Sequence, residues 1–219
     1  MKRGSVSTSP ECGKRVLRTP PDCERLAKPP RFRKEDFPIT RYGAKPCKLT
    51  EVTVSSHGHT QQQKTPLAGS PDCHGAIAAA IAACHKAGGG RVLVPAGSWY
   101  CAGPVRLLSN VNLHLAKGAQ LYFSPDPRDY ARHGDHDCGK NGKLVLSRWQ
   151  GNDVLNYSPM VYAYKANNIA LTGEDWTSTL DGQGGVRPQD GSESWWDWTA
   201  KGKTTLPSAS VPNPNNPPL

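Results

Sequence analysis

Large apolar side chains are scarce in this sequence. Val, Ile, Leu and Phe supply 13, 4, 17 and 3 of the 219 residues, 37 in all. That is about 17%, low for an ordinary compact domain, so part of the chain is expected to stay unpacked. No run approaches the roughly 20 consecutive apolar residues of a membrane helix, which excludes a chain that spans a membrane in that way. The seven cysteines, Cys12, Cys23, Cys47, Cys73, Cys84, Cys101 and Cys138, contain no Cys-x-x-Cys spacing, which argues against zinc-ribbon and dithiol redox sites. Their odd number leaves at least one thiol without an intramolecular partner. Met1-Lys2-Arg3 is followed by the polar stretch Ser5 to Pro10 rather than an apolar segment, so no signal peptide is visible.

Gly and Pro are plentiful instead, 22 and 20 residues, and both interrupt helices, which argues against a helical bundle. The formal charge of +9 is unevenly placed. Residues 1–50 hold 13 Lys+Arg and 5 Asp+Glu, a net of +8; the remaining 169 hold 14 and 13, a net of +1. The basicity therefore belongs to an N-terminal arm with Lys14-Arg15 and Arg31-Phe32-Arg33-Lys34, not to a face of the folded part, and no nucleic-acid partner is expected.

Residues 1–36 are Pro-rich and charged without apolar periodicity, and are expected to form a disordered basic arm. Phe37 to Ala44 alternates and ends near Gly43, as a first strand would. Lys45 to Gly69, with Gln61-Gln62-Gln63, reads as an insertion or long loop. The single convincing helix follows: Ser70 as cap, Pro71 at the first helical position, Asp72 at the positive end of the dipole, and Ile77, Ile81 and Cys84 along one stripe. Gly88-Gly89-Gly90 stops it and Arg91 to Pro95 begins a strand. Short strands then recur at Val105 to Leu108, Val111 to Leu115, Gln120 to Phe123, Val161 to Tyr164, Ile169 to Thr172 and Thr179-Leu180, with no long helix between them. Asn110-Val111-Asn112-Leu113 and Asn168-Ile169-Ala170-Leu171 share a pattern, a sign of repetition. Many short strands fit a sandwich or a solenoid. One helix placed directly before them favours the solenoid, whose first coil needs a cover.

Phe37-Pro38-Ile39-Thr40-Arg41-Tyr42-Gly43-Ala44, Ala76 to Cys84 and Gly88-Gly89-Gly90-Arg91-Val92-Leu93-Val94-Pro95-Ala96-Gly97 resemble the opening of the polygalacturonases, glycoside hydrolase family 28. Gly103-Pro104-Val105, Leu107 to Leu115, Phe123-Ser124-Pro125-Asp126-Pro127, Asn156 to Tyr164, Leu180-Asp181-Gly182-Gln183-Gly184 and Trp195-Trp196 follow in the family's order, so the resemblance covers roughly residues 37–198. It implies an all-β fold, the N-terminal coils of a right-handed parallel β-helix with a capping α-helix, and hydrolysis of α-1,4-galacturonan in pectin, usually outside the cell. The implied partner is pectin or a related acidic polysaccharide, with secreted or periplasmic localisation.

The resemblance stops short of the chemistry. An inverting glycosidase needs an acid and a base carboxyl roughly 6.5 to 9.5 Å apart. In the family these stand on later coils, in an Asn-Thr-Asp run and an Asp-Asp pair near Gly-His-Gly and Arg-Ile-Lys motifs, and none of the four occurs here. Gly58-His59-Thr60 and Cys73-His74-Gly75 match only in composition. Asp181, before Gly182, reads as a turn residue. His133-Gly134-Asp135-His136-Asp137-Cys138 reads as a polar loop, because its spacing fits no standard metal site, and His57 with His59 lacks a third ligand. Trp195, Trp196 and Trp198 could stack on sugar rings or fill the solenoid. No residue is assigned to catalysis, cofactor or metal binding, and no cofactor is expected.

Residues 199–219 form a Pro-rich tail expected to be disordered. The expectation is a truncated chain that lacks the catalytic coils and is inactive alone, with self-association through the open end of the solenoid. A non-catalytic pectin-binding module is the main alternative, and a fragment of a pectate lyase or rhamnogalacturonan hydrolase is another.

Overall fold

Parallel pairing between strands far apart in the chain organises the molecule. The computed structural model describes residues 29–56, 59–149 and 151–200. The chain divides into two units, Met1–Pro30 and Arg31–Leu219. Of the first, only Pro29 and Pro30 are described and both are exposed; every element below belongs to the second.

Strand β1 (Asp36–Pro38) is shorter than the expected Phe37 to Ala44, because the chain turns at once into a 3₁₀ segment, Ile39–Tyr42. Gly43, at φ 95°, closes that turn by donating to the Ile39 and Thr40 carbonyls. The polar stretch expected to be a loop is instead a hairpin. Strands β2 (Leu49–Ser56) and β3 (His59–Pro66) pair antiparallel from Leu49 opposite Pro66 to Ser56 opposite His59. Its ladder needs backbone groups rather than apolar side chains, and polar cross-strand pairs reinforce it: Ser55 Oγ lies 3.0 Å from Thr60 Oγ1, and Gln62 Nε2 donates to Thr53 Oγ1 at 2.9 Å.

Helix α1 (His74–Lys86) begins later than the capping pattern at Ser70 predicts. Asp72 is held in an extended bridge to Tyr100, and its Oδ1 accepts from both His74 N–H (2.8 Å) and Ala102 N–H (2.9 Å). The carboxylate still serves the helix start, but from outside the helix. Ile77, Ala80, Ile81 and Cys84 are buried against the 3₁₀ turn and the neighbouring strands. Burial pushes the Cys84 thiol up to about 11. After the helix, Gly89 has φ 109°, and a Cβ there would lie 2.5 Å from the Asn110 carbonyl oxygen, so the sharp stop depends on glycine.

The coils follow. Strands β4 (Gly90–Val94), β5 (Gly97–Cys101) and β6 (Val105–Arg106) trace the first, and β7 (Val111–Leu115) and β8 (Ala119–Phe123) open the second. A long excursion carries α2 (Pro127–Tyr130) and three strands that the sequence reading did not find, β9 (His136–Asp137), β10 (Lys143–Trp149) and β11 (Asn152–Asn156), joined antiparallel in the order β11-β10-β9. Strand β12 (Val161–Tyr162) returns to the stack, β13 (Ala170–Gly173) and β14 (Thr179–Asp181) form the next layer, and α3 (Trp195–Ala200) follows.

Among the described residues, three parallel sheets result: β1-β4-β7-β13, β5-β8-β14 and β6-β12. Register lines like residues into columns. Phe37, Val92, Leu113 and Leu171 stand in one column, and Trp99, Leu121 and Leu180 in another. The paired Asn motifs occupy the same corner on successive layers. Asn110 and Asn168 both adopt positive φ, 67° and 54°, and Asn168 Nδ2 donates to Asn110 Oδ1 at 3.1 Å.

The arm was expected to run to residue 36, but its last residues hold to the coils. Arg31 N–H donates to Asn168 Oδ1 at 3.0 Å, Arg33 to the Ala87 carbonyl, and Arg91 grips Asp36 through two bonds of 2.7 and 2.6 Å. Arg91 keeps the Asp36 carboxyl below its ordinary range. Residues 1–28 of the expected arm and 201–219 of the expected tail lie outside the described residues.

The columns separate two leucines of the same kind. Leu113 is fully buried and Leu171 is 41% exposed at the outer layer. Leu113→Ala should lower stability by about 3 kcal/mol, within the range for buried Leu truncation, and Leu171→Ala by less than about 1 kcal/mol; urea unfolding of both variants checks the contrast.

Candidate functional site

Outward side chains of the second sheet run in register from Tyr100 through Tyr122 to Asp181, which ends β14. Asp181 makes the turn expected of it: its Oδ1 accepts from Gln183 N–H at 2.8 Å, and Gln183 takes φ 53°. The same carboxylate also faces a cleft of about 630 Å³, lined by Gln63, Tyr157, Met160, Asp181, Gln183, Trp195 and Trp196 among others. The turn residue and two of the tryptophans singled out in the sequence thus meet at one place.

Two distant segments build the wall. The β2–β3 hairpin delivers Gln63, whose Nε2 lies 3.5 Å from Asp181 Oδ1, while Gln183 Nε2 donates to the Lys64 carbonyl at 3.3 Å. Trp196 lies on the Gly184-Gly185 backbone. A Cβ on Gly184 would fall 2.6 Å from its Nε1, and one on Gly185 2.6 Å from its Cε3. Trp196 N–H donates to the Gly184 carbonyl at 3.0 Å. The glycines of Asp181-Gly182-Gln183-Gly184-Gly185 therefore make room for an indole as well as a turn. Gln183 is 1% exposed, and its Oε1, like that of Gln63, is buried without a hydrogen-bond partner among the described residues.

Chemically the cleft offers aromatic faces, amides and a carboxylate. Asp181 is the one carboxylate among its described lining residues, and no Lys, Arg or His stands among them. Such a surface can stack on a pyranose ring and accept hydrogen bonds from its hydroxyls. The pair of carboxyls that glycoside hydrolysis requires is not assembled by these lining residues.

A second groove, of about 750 Å³, gathers Arg128, Arg132 and Arg187 with Asp126, Asp129 and Asp190. Its guanidiniums are already matched. Arg128 pairs with Asp126 (2.6 Å) and Asp190 (2.8 Å), Arg132 with Asp129, and Arg187 with Asp197 (2.7 Å). Between the two clefts, Tyr130 donates to the Ser124 carbonyl at 2.8 Å, and burial raises its hydroxyl far above the ordinary value.

The polar run His133 to Cys138 is dispersed. His133 packs on His74 with ring centroids 4.2 Å apart, Asp135 pairs with Arg106 at 2.6 Å, and His136 and Asp137 lie exposed in β9. No group of three or more His, Cys, Asp or Glu positioned for a metal occurs among the described residues. His59 is exposed on β3, and His57 and Gly58 lie outside the described residues. His74, from the other near-miss motif, starts α1, its Nε2 3.0 Å from the Pro104 carbonyl oxygen. Trp198 lines not the cleft itself but a small recess with Pro125 and Pro127 that adjoins it through Tyr157 and Trp195. Gln63, Tyr157, Met160 and Gln183 are not assigned to a site by the sequence alone; Gln63 reaches the cleft through a hairpin whose residues read as a loop.

Burial, then the neighbouring His74 and Arg132, depress His133 below its ordinary value of 6.5. The unfolded chain therefore binds this proton more readily than the folded one. Stability should fall as pH drops below about 6.5. Urea midpoints at pH 7.5 and 5.5 should differ less in His133→Gln than in the wild type.

No protein-family model matches the chain. Over 163 residues it is 28% identical to an endo-polygalacturonase of Pectobacterium parmentieri, an alignment covering 73% of this chain and 37% of that protein. Over 115 residues it is 30% identical to an endo-polygalacturonase of Pectobacterium carotovorum subsp. carotovorum, covering 52% of this chain and 25% of the relative. Among solved structures, a hyperthermoactive exopolygalacturonase from Thermotoga maritima superposes with a TM-score of 0.57 at 30% identity, over 85% of this chain and 33% of that one. The chain thus spans well under half the length of each of these relatives.

Proposed function

The chain is related to the polygalacturonase family over half to three-quarters of its length, and on that premise we propose that it is the galacturonan-binding N-terminal part of a polygalacturonase-like glycoside hydrolase. Its layers are the first coils of a right-handed parallel β-helix, the hand that parallel crossovers adopt. Helix α1 closes the start of the stack, where unpaired edges and apolar side chains would otherwise face water. Pectin or a related acidic polysaccharide is the polymer it meets, outside the cytoplasm.

The observation that carries this reading is the joint agreement of sequence and fold, 30% identity and a TM-score of 0.57 over 85% of the chain. The cleft beside Asp181 supports a binding share in the work, because one carboxylate with aromatic faces can hold a sugar but cannot supply both acid and base. That observation equally favours a non-catalytic glycan-binding module. Both readings expect the purified chain to release no reducing ends from polygalacturonate while binding pectin. Trp196→Ala should weaken that binding several-fold, from the worth of an aromatic stack. Isothermal titration beside a reducing-end assay checks both, and hydrolysis above a buffer control would refute the division of labour.

The outer layer has a further consequence. Strands β12, β13 and β14 end their sheets among the described residues, and Leu171 and Trp176, 41% and 92% exposed, lie on that layer. Open parallel edges recruit further strands, so the chain should self-associate as its concentration rises. Light scattering that reports a monodisperse monomer over a hundredfold concentration range would contradict this.

A further inference from the structure

We infer that Cys73 and Cys101 are a disulfide site, whose closure fastens the start of helix α1 to the first coil. The bond is independent of the cleft and of any bound sugar.

Register brings the two residues together. Asp72 and Tyr100 form a parallel bridge, and Cys73 N–H donates to the Tyr100 carbonyl at 2.8 Å, so the next residues in step are Cys73 and Cys101. Parallel neighbours in register share a face and stand about 4.8 Å apart, inside the Cα separation of roughly 4.4 to 6.8 Å that a disulfide spans. Burial decides which face. Asp72 is exposed and Tyr100 half-buried, whereas Cys73 and Cys101 are both fully buried in one core cluster. The structure holds both as free thiols, within hydrogen-bonding reach of each other. Cys47 is the nearest competitor, but its N–H donates to the Ser98 carbonyl at 2.8 Å, three residues before Cys101, and no ladder among the described residues aligns it with Cys73. Cys84 faces Gly90 on the far side of α1, and Cys138 lies beside the His136 carbonyl.

Closure forms one Sγ–Sγ bond as both S–H bonds are lost, and two protons and two electrons leave. A small-molecule disulfide is the oxidant. One cysteine thiolate attacks it and releases a first thiol; the second thiolate then displaces the other, so the reagent ends as two thiols. In the folded coil, the hydrogen bond with Cys73 and burial hold the Cys101 thiol above its ordinary value. Neither cysteine meets solvent there, so exchange belongs to folding, while the coil is still open. The crosslink joins residues 28 positions apart and restricts the unfolded chain. It ties Cys73, directly before α1, to the last residue of β5.

The test refolds the full chain from urea in mixed oxidised and reduced glutathione, blocks the remaining thiols with iodoacetamide, and maps tryptic peptides without reduction. Cleavage after Lys64, Lys86, Arg91 and Arg106 leaves Cys73 and Cys84 on one peptide and Cys101 on another, and fragment spectra tell Cys73 from Cys84. Most molecules should carry Cys73 bound to Cys101, and their urea midpoint should exceed that of the same preparation kept in dithiothreitol. Cys47→Ala should leave the linkage in place. Recovery of Cys73 and Cys101 both alkylated overturns the inference, since cysteines that only fill the core behave in that way. Cys73 bound to Cys47, Cys84 or any other partner overturns it too. A bond that forms between the two without raising the urea midpoint overturns the fastening role.

Discussion

Each inward side chain in a stack of parallel layers must be covered by its counterpart on the next layer, and the rest of the molecule follows from that requirement. Phe37, Val92 and Leu113 satisfy it in one column and Trp99 and Leu121 in another, while Leu171 and Leu180 on the outer layer stay partly exposed. Once the register is set, corners must superpose as well. The stacked Asn110 and Asn168 turns meet that demand with positive φ and a side-chain hydrogen bond, and Gly89 meets it by having no Cβ to strike Asn110. This economy explains how a chain with few large apolar residues still packs: a short column needs one such residue per layer, not a broad core.

The same register creates the cleft. Residues facing inward alternate with residues facing outward, so the column of Trp99, Leu121 and the half-buried Leu180 leaves Tyr100, Tyr122 and Asp181 on the other side. The hairpin and the Trp196 indole then enclose what would otherwise be a flat sheet face. Asp181 consequently has two duties, holding the turn through the Gln183 N–H and giving the cleft its charge. The arginines of the second groove are held by aspartates there. A surface with one carboxylate and several aromatic faces suits recognition of a sugar better than its cleavage.

Some of this was legible from residue order. Alternation located β4, β7 and β8 closely, the stripe of Ile77, Ile81 and Cys84 located α1, and the two Asn motifs pointed to layers that do superpose. Other elements left no such trace. The β2–β3 hairpin is rich in Thr, Ser and Gln, whose side chains do not distinguish an exposed strand from a loop, and β10 with β11 arises inside a polar excursion. The start of α1 was misplaced because Ser70-Pro71-Asp72 has the chemistry of a helix cap, while pairing with Tyr100 keeps Asp72 extended. Arg31 to Asp36 read as part of an unstructured arm because the partners that hold Arg31 and Asp36, Asn168 and Arg91, lie 137 and 55 positions away.

Local patterning by itself determined that short strands would recur after a single helix, that glycines and asparagines would make the corners, and that the motifs would match one family of glycosidases. These depend on conformational preference and on spacing, both carried by neighbouring residues. Only the tertiary structure decided that Gln63, Asp181, Gln183 and Trp196 would surround one cavity, and that each nearby arginine would find an aspartate first. Those relations join residues up to 133 positions apart, from Gln63 to Trp196, and contacts across such separations come into being only when layers stack in register.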